Sequence, residues 1–117
     1  MARREPGEPY NRLDSDEAVA HLDDEDFVFV DVRQPDEYAA GHIKGALFIN
    51  VDELLARIDE LPQDKNLMFI CALGVRSGLA CEMAAAMGYD TEKLYNIEDG
   101  TPTWIEKGHP TSYGSDS

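Results

Sequence analysis

The sequence predicts an α/β domain of three layers, with a mainly parallel central sheet flanked by helices. Its length of 117 residues suits one domain with a single core. Unbroken apolar runs at residues 27–30 and 67–70 indicate strands that are covered on both faces. Helical periodicity and capping residues fill the segments between such runs, and this alternation favours parallel strands.

Five short strands are expected. A weak first strand is predicted at residues 11–13, where the pattern is brief. The stronger apolar runs lie at residues 27–30, 47–49, 67–70 and 94–97. No internal repeat is visible in the sequence.

The first two helices are predicted from their end signals. Ser15 is expected to cap the first helix. The side chains that this helix turns inward are Ala18, Val19 and Leu22. Pro35 suits the first position of a second short helix, and Gly41 suits its end.

The third and fourth helices are predicted from apolar stripes. The stripe of the third helix has the spacing i, i+3, i+4, i+7 and consists of Val51, Leu54, Leu55 and Ile58. The stripe of the fourth helix is expected to face the core and consists of Leu79, Met83 and Met87, flanked by Ala80 and Ala84. Gly88 is a suitable C-terminal cap for this helix.

A last short helix and two tails complete the predicted domain. Thr101 and Pro102 open this helix, and Trp104 is expected to close the core against the last strand. Residues 1–9 and 111–117 are polar and rich in helix breakers, so both are predicted to be flexible tails. The predicted domain therefore covers residues 10–110.

The charge balance excludes several classes of partner. Twenty-four Asp and Glu against ten Lys and Arg give a formal net charge of −14, which repels nucleic-acid phosphates and anionic membranes. The same charge favours a monomer. No apolar run has the roughly 18–20 residues of a membrane span, and the N-terminus lacks a signal-peptide core, so a cytoplasmic protein is expected. A diffuse acidic surface with only four Lys suggests a halophilic protein, and an acidic mesophilic domain is the alternative.

The segment from Cys71 to Ser77 carries the strongest chemical signal. A buried strand ends at Cys71, a short loop containing Gly74 follows, and Arg76 and Ser77 open a helix. Ligands bind beyond the carboxyl ends of such strands. Loop N–H groups, the helix N-terminus and the Arg76 charge all favour a thiolate, which predicts a Cys71 pKa below about 8.5. The alternative is a structural cysteine at a strand end.

Three motifs in this order resemble the rhodanese-like family. The segment Cys71-x-x-Gly74-x-Arg76-Ser77 resembles the active-site loop of that family. Residues 31–46, which begin Asp-Val-Arg-x-Pro, resemble its second signature. Residues 88–110 are similar to the family's C-terminal end. One departure is visible, because a Gly-Gly pair usual before the tryptophan is Asp99-Gly100 here.

The resemblance implies a sulfurtransferase that works through a cysteine persulfide. Cys71 would take a sulfane sulfur from a small anionic donor such as thiosulfate and pass it to a thiol, to cyanide or to a persulfide-exchanging protein. Arg76 would bind the donor, and the rest of the substrate cradle would be Ala72, Leu73, Gly74, Val75 and Ser77. No cofactor or metal is implied.

Loop length separates the sulfurtransferase hypothesis from its alternatives. In this family six residues from cysteine to arginine suit sulfur, whereas a loop one residue longer suits phosphate or arsenate. Cys71 to Arg76 counts six residues. A non-catalytic binding module and a thiol-dependent reductase or phosphatase remain the alternatives.

Other reactive residue types are interpreted as structural. Asp31 and Arg33 are expected to form a buried ion pair, although Asp31 could instead shape the pocket. His42 is interpreted as a packing residue. Cys81 is interpreted as a helix-packing residue, with a redox partnership to Cys71 as the alternative.

Overall fold

A five-stranded sheet forms the centre of the molecule. The structure is a computed structural model that describes residues 2–117. The strands of this sheet are β1 (Asn11–Leu13), β2 (Phe27–Asp31), β4 (Leu47–Phe48), β5 (Asn66–Ile70) and β6 (Leu94–Ile97), and a separate pair consists of β3 (His42–Ile43) and β7 (Thr111–Ser112). The strands predicted from the apolar runs are therefore confirmed, including the weak first one.

All neighbouring strands of the large sheet run parallel. Their order is β1-β6-β5-β2-β4. In the central register Asp31 pairs with Ile70, and Ile70 pairs with Ile97. The carboxyl ends of β2, β5 and β6 therefore lie level at one edge of the sheet, and Cys71 is the first residue beyond this edge.

Five α-helices connect and cover the strands. They are α1 (Ser15–Val19), α2 (Pro35–Ala40), α3 (Leu54–Arg57), α4 (Val75–Ala86) and α5 (Gly100–Glu106). Two 3-10 turns, Ile58–Glu60 and Thr91–Lys93, extend α3 and precede β6. As predicted, Pro35 stands at the start of α2, and Gly41 ends it.

The sheet separates two apolar cores, which gives the predicted three layers. Leu67 and Phe69 of β5 face one core, together with residues of α3 and α4. Met68 and Ile70 alternate to the other core, where they meet Ala18 of α1 and Trp104 of α5. This alternation explains why β5 reads as an unbroken apolar run: both of its faces are covered.

The cap of α1 differs from the prediction by one residue. Asp14, not Ser15, is the N-cap, and its carboxylate accepts a hydrogen bond from the Glu17 N–H at 2.8 Å. The Glu17 side chain in turn accepts the Asp14 N–H at 3.0 Å, which completes a capping box. Ser15 is instead buried in the first turn, where its hydroxyl donates to Asp99 at 2.8 Å.

The prediction for the inner face of α4 was wrong for Leu79 and Met87, whereas Met83 packs against the core as expected. Leu79 and Met87 are 45% and 50% exposed. The buried face consists of smaller residues, namely Ser77, Gly78, Ala80, Cys81 and Ala84. These small side chains let the helix lie close against β5 and β6, so the larger residues are left at its flank.

The apolar stripe predicted for the third helix is partly confirmed as a buried face. Its residues Val51, Leu54 and Ile58 are buried, whereas Leu55 is half exposed. The helix itself covers four residues before it tightens into the 3-10 turn, so Leu55 rotates out of the core.

Ordered structure continues beyond residue 110, where a flexible tail was expected. Thr111 and Ser112 pair with Ile43 and His42 as an antiparallel ladder. The Gly114 N–H also donates to the Ala39 carbonyl at 2.8 Å. This pairing occurs because the backbone groups of β3 lie outside the large sheet and take their partners from the C-terminal segment.

The segment before β1 also makes contacts. Arg3 and Arg12 form an isolated antiparallel bridge, with the Arg3 N–H donating to the Arg12 carbonyl at 2.9 Å. Most of residues 2–9 are exposed. In the part of the chain that the structure describes, every helix is too short or too polar to span a bilayer.

Candidate active site

Cys71 lies at the centre of the candidate site, immediately beyond β5. Its side chain is only 1% exposed and continues the face of β5 that carries Leu67 and Phe69. The side chain therefore points towards the start of α4.

Two backbone N–H groups of the following loop point at the Cys71 sulfur. The Gly74 N–H donates to Sγ at 3.1 Å, and the Ser77 N–H donates at 3.3 Å. Val75 begins α4, so these donors lie at the positive end of the helix dipole. The sulfur thus faces an array of donors that suits negative charge.

Gly74 is the residue that allows this loop to close. Its φ of +86° lies in the left-handed region, and a Cβ there would stand 2.7 Å from the Glu98 carbonyl oxygen. Only glycine combines that backbone angle with such a close approach. The glycine of the loop motif is therefore required by geometry.

Hydrogen bonds outweigh burial in setting the acidity of Cys71. Burial by itself would raise the pKa of this thiol, but the N–H groups of Ser77, Leu73 and Gly74 donate hydrogen bonds that favour the thiolate, and the pKa lies below its usual value. The direction agrees with the sequence-based expectation. Cys71 accordingly has the character of a nucleophilic cysteine.

A buried polar network lies behind the sulfur. The Ser77 Oγ stands 3.2 Å from Cys71 Sγ and donates to Asn96 Oδ1 at 2.6 Å. Asn96 Nδ2 donates to the Gly74 carbonyl at 3.0 Å. Asn96 therefore ties both ends of the loop to β6. Sequence reasoning missed this residue, because it stands in an apolar run as an ordinary strand position.

The Arg76 guanidinium is held by a carboxylate from α2. Its two terminal nitrogens donate to the two carboxylate oxygens of Glu37 at 2.7 and 2.9 Å. Both side chains are 30% exposed. The Arg76 hydrogen bonds lower the pKa of Glu37 to about 2, so the pair stays charged at neutral pH. The sequence shows Glu37 in a motif, but a partner 39 residues distant cannot be assigned from spacing.

Two of the predicted cradle residues turn their side chains away from the sulfur. Leu73 and Val75 are 80% and 78% exposed, so their side chains face solvent. Among the described residues, no hydrogen bond joins the sulfur to the amides of Ala72, Val75 or Arg76. The amides of Val75 and Arg76 lie in the first turn of α4, where N–H groups lack intrahelical acceptors.

The Asp99-Gly100 departure leaves the adjoining loop intact. Asp99 adopts an ordinary right-handed conformation, with φ of −85°, so no glycine is needed at that position. Its carboxylate accepts hydrogen bonds from the Ser15 N–H and hydroxyl at 2.9 and 2.8 Å. Gly100 is the constrained position, because its φ is +80° and an added Cβ would stand 1.9 Å from the Ala72 carbonyl oxygen.

The remaining candidate residues lie in paired or packed positions. Asp31 and Arg33 form a buried ion pair with a 2.7 Å contact, and Arg33 also donates to the Gly41 carbonyl. His42 is buried and stacks on Tyr38 with 3.6 Å between ring centroids. Cys81 is buried in the core, and burial raises its pKa well above the usual value.

The described part of the chain contains no candidate metal site. Within residues 2–117, no group of three or more His, Cys, Asp or Glu side chains could hold a metal ion.

Comparison with known proteins decides the family. The sequence model of the rhodanese-like domain matches residues 14–107. The chain belongs to the rhodanese-like domain family. A sulfurtransferase of Allochromatium vinosum is 34% identical to this rhodanese-like chain over 101 residues, which is 86% of the chain and 92% of that protein.

Solved structures share the rhodanese-like fold. A rhodanese-like domain protein from Staphylococcus aureus has a TM-score of 0.77 at 28% identity, with 89% of this chain and 98% of that chain covered. The thiosulfate sulfurtransferase of Pseudomonas aeruginosa also has a TM-score of 0.77, at 26% identity, with 90% of this chain and 20% of that chain covered. The predicted fold and family are both confirmed.

Proposed function

We propose that this rhodanese-like domain is a sulfurtransferase that carries sulfane sulfur as a persulfide on Cys71. The observation that carries the proposal is the cradle around Sγ, which accepts the N–H groups of Gly74 and Ser77 at 3.1 and 3.3 Å. A lowered thiol pKa supports the thiolate that such a reaction needs. The name of the Allochromatium relative, a sulfurtransferase, supports the same reaction class.

The first half-reaction loads the enzyme. The Cys71 thiolate attacks the outer sulfur of a donor such as thiosulfate, the donor's S–S bond breaks, and sulfite leaves with the electron pair. The product is a Cys71 persulfide whose terminal sulfur carries the negative charge. Backbone N–H groups at the head of α4 stabilise that charge without any reorganisation.

The second half-reaction removes the sulfur from Cys71. A thiolate or cyanide attacks the terminal sulfur and takes it, and the bonding electrons return to Cys71 as thiolate. A small thiol and a persulfide-exchanging protein are equivalent acceptors in chemical terms, since both present a nucleophilic sulfur. No oxidant or reductant is consumed over the cycle. The free thiols of Cys71 and Cys81 fit the reducing, cytoplasmic setting that we propose.

Arg76 is proposed to bind the anionic donor, in competition with Glu37. The two terminal nitrogens of Arg76 already donate to the Glu37 carboxylate. A donor anion must therefore displace Glu37 or share the guanidinium with it. Glu37 therefore tunes the affinity of Arg76 for the donor.

Intact-mass measurement after incubation with thiosulfate tests the proposal. The wild type and Cys81→Ala should each gain the mass of one sulfur atom, Cys71→Ala should gain none, and cyanide should remove the adduct. If the wild type gains no sulfur, the persulfide proposal is wrong. Hydrolysis of a phosphate ester in the same preparation would favour the phosphatase alternative, and neither activity would favour a binding module.

A further inference from the structure

The hydrogen bonds behind Cys71 allow each proton to be assigned. The Gly74 carbonyl can only accept a hydrogen bond, so the Asn96 atom that lies 3.0 Å from it must be Nδ2. This fixes the orientation of the Asn96 amide. Asn96 Oδ1 then faces Ser77 Oγ at 2.6 Å and can only accept.

The Ser77 hydroxyl has one proton, and Asn96 holds it. Because that proton points at Oδ1, Ser77 Oγ presents a lone pair to Cys71 Sγ at 3.2 Å. A neutral Cys71 completes the chain, since its S–H donates to Ser77 Oγ. Every polar atom of this buried chain is then satisfied.

A Cys71 thiolate breaks this arrangement. The negative sulfur would face a lone pair unless the Ser77 hydroxyl turned towards it, and that rotation would leave Asn96 Oδ1 without a donor. Asn96 is 2% exposed, so water does not replace the lost bond. The two acceptors, sulfur and Oδ1, therefore compete for one proton.

We propose that Asn96 is a positioning residue that directs the Ser77 hydroxyl away from Cys71 and so shifts the balance at the resting sulfur towards the protonated thiol. The persulfide also benefits, because its Sγ is uncharged and does not require the hydroxyl. Asn96 thus favours the two stable states of the cycle, thiol and persulfide, over the reactive thiolate. The inference deepens the proposed function and rests on it only in treating Cys71 as the reactive thiol.

Other charged groups near the sulfur remain unchanged when Asn96 is replaced. Arg76 on α4 interacts electrostatically with Cys71 and is paired with Glu37 of α2. Asp31 at the end of β2 is paired with Arg33. None of these side chains bonds to Asn96, whose partners are Ser77 and Gly74. A change in Cys71 acidity can therefore be traced to the hydroxyl.

The test measures the pH dependence of Cys71 alkylation by iodoacetamide, with Cys81→Ala as the common background. In Asn96→Leu the freed hydroxyl donates to the thiolate, so the midpoint should fall by about one pH unit, the size expected for a hydrogen bond to a charged group. When Ser77→Ala is already present, adding Asn96→Leu should shift the alkylation midpoint by less than about a third of that fall. An equal fall in both backgrounds, or no fall in either, would overturn the proposal.

Ser77→Ala by itself gives a second, independent reading. If Asn96 holds the hydroxyl proton, removing the hydroxyl leaves the midpoint unchanged or slightly lower. If the hydroxyl instead donates to sulfur in the resting enzyme, the midpoint rises by about one unit, and the proposal is wrong. This variant decides the question if circular dichroism shows that Asn96→Leu does not fold.

Both measurements are independent of sulfur transfer. Alkylation reports the thiol and needs no donor or acceptor, so a failure to load sulfur from thiosulfate would not affect the result. Conversely, a normal persulfide with unchanged midpoints would remove the role of Asn96 and leave the proposed function in place.

Discussion

Arg76 and Glu37 are joined by two parallel hydrogen bonds, at 2.7 and 2.9 Å, across the mouth of the loop that holds Cys71. The pair links the first turn of α4 to the first turn of α2. It supplies the loop with a rigid wall, and it also neutralises the one cation that the loop motif contributes. Binding of an anion therefore has to overcome a resident carboxylate.

Replacing Glu37 should strengthen donor binding. In Glu37→Gln the Arg76 guanidinium loses its charged partner, so the KM for thiosulfate is expected to fall several-fold while kcat changes less. Glu60→Gln is the matched control, because Glu60 pairs with Arg57 at 2.8 and 2.9 Å and the net charge changes equally. Equal KM values for the two variants would show that Arg76 does not bind the donor.

The same pair makes a small, pH-dependent contribution to stability. The pKa of Glu37 is lowered from 4.5 to about 2 by Arg76, so its contribution is present above pH 4.5 and is lost as the pH falls through about 2. The wild type should exceed Glu37→Gln by at most about 1 kcal/mol in free energy of unfolding near neutrality. Urea unfolding at several pH values should show this difference shrinking towards zero in acid. A difference that stays constant would contradict the assignment to Glu37.

Gly100 should be essential for the shape of the catalytic loop. A Cβ at this position would stand 1.9 Å from the Ala72 carbonyl oxygen, and the neighbouring Thr101 N–H donates to the Cys71 carbonyl at 2.9 Å. Gly108→Ala is the matched control, since Gly108 has a similar φ of +75° but open space around it.

The expected losses of stability differ accordingly. Gly108→Ala should lose about 1 kcal/mol from backbone strain alone, whereas Gly100→Ala should lose more than about 2 kcal/mol and most sulfur loading. Thermal unfolding and intact mass measure the two effects. Similar losses in both variants would mean that the contact with Ala72 is relieved without moving the loop.

The two cysteines should differ sharply in reactivity. Cys71 has a lowered pKa and loop donors, whereas Cys81 is fully buried with a raised pKa. Iodoacetamide at pH 7.5 should therefore alkylate Cys71 in the folded protein and reach Cys81 only after unfolding. Peptide mapping by mass spectrometry measures both sites. Early modification of Cys81 would contradict its assignment as a packing residue.

Donor affinity should depend on salt. A protein with a net charge of −14 repels an anionic donor at low ionic strength. Added salt screens this repulsion over about 3 Å at 1 M, so the KM for thiosulfate should fall with salt and then level off. Steady-state kinetics across a salt series, with folding followed by circular dichroism, tests this. A flat or rising KM would show that the overall charge does not control donor binding.

The sequence by itself determined the layers of the fold and the position of Cys71 in it. Covered strands must be apolar on both faces, so β2 and β5 are visible as continuous runs. Cys71 follows such a run and precedes Gly74 and a helix start, and local chain geometry is enough to place it at the sheet edge. These inferences depend on neighbours in sequence, which is why they could be made from the residues alone.

Tertiary structure decided everything that depends on distant partners. Glu37 meets Arg76 across 39 residues, and Asn96 meets Ser77 across 19, because the parallel sheet brings α2 and β6 beside the loop. The inner face of α4 was mispredicted for a related reason. Side-chain size in the sequence indicated Leu79, but the close approach of the helix to the sheet selects the small residues Ala80 and Cys81. Hydrophobicity identifies an apolar side chain, whereas only packing decides which of several apolar side chains has room to be buried.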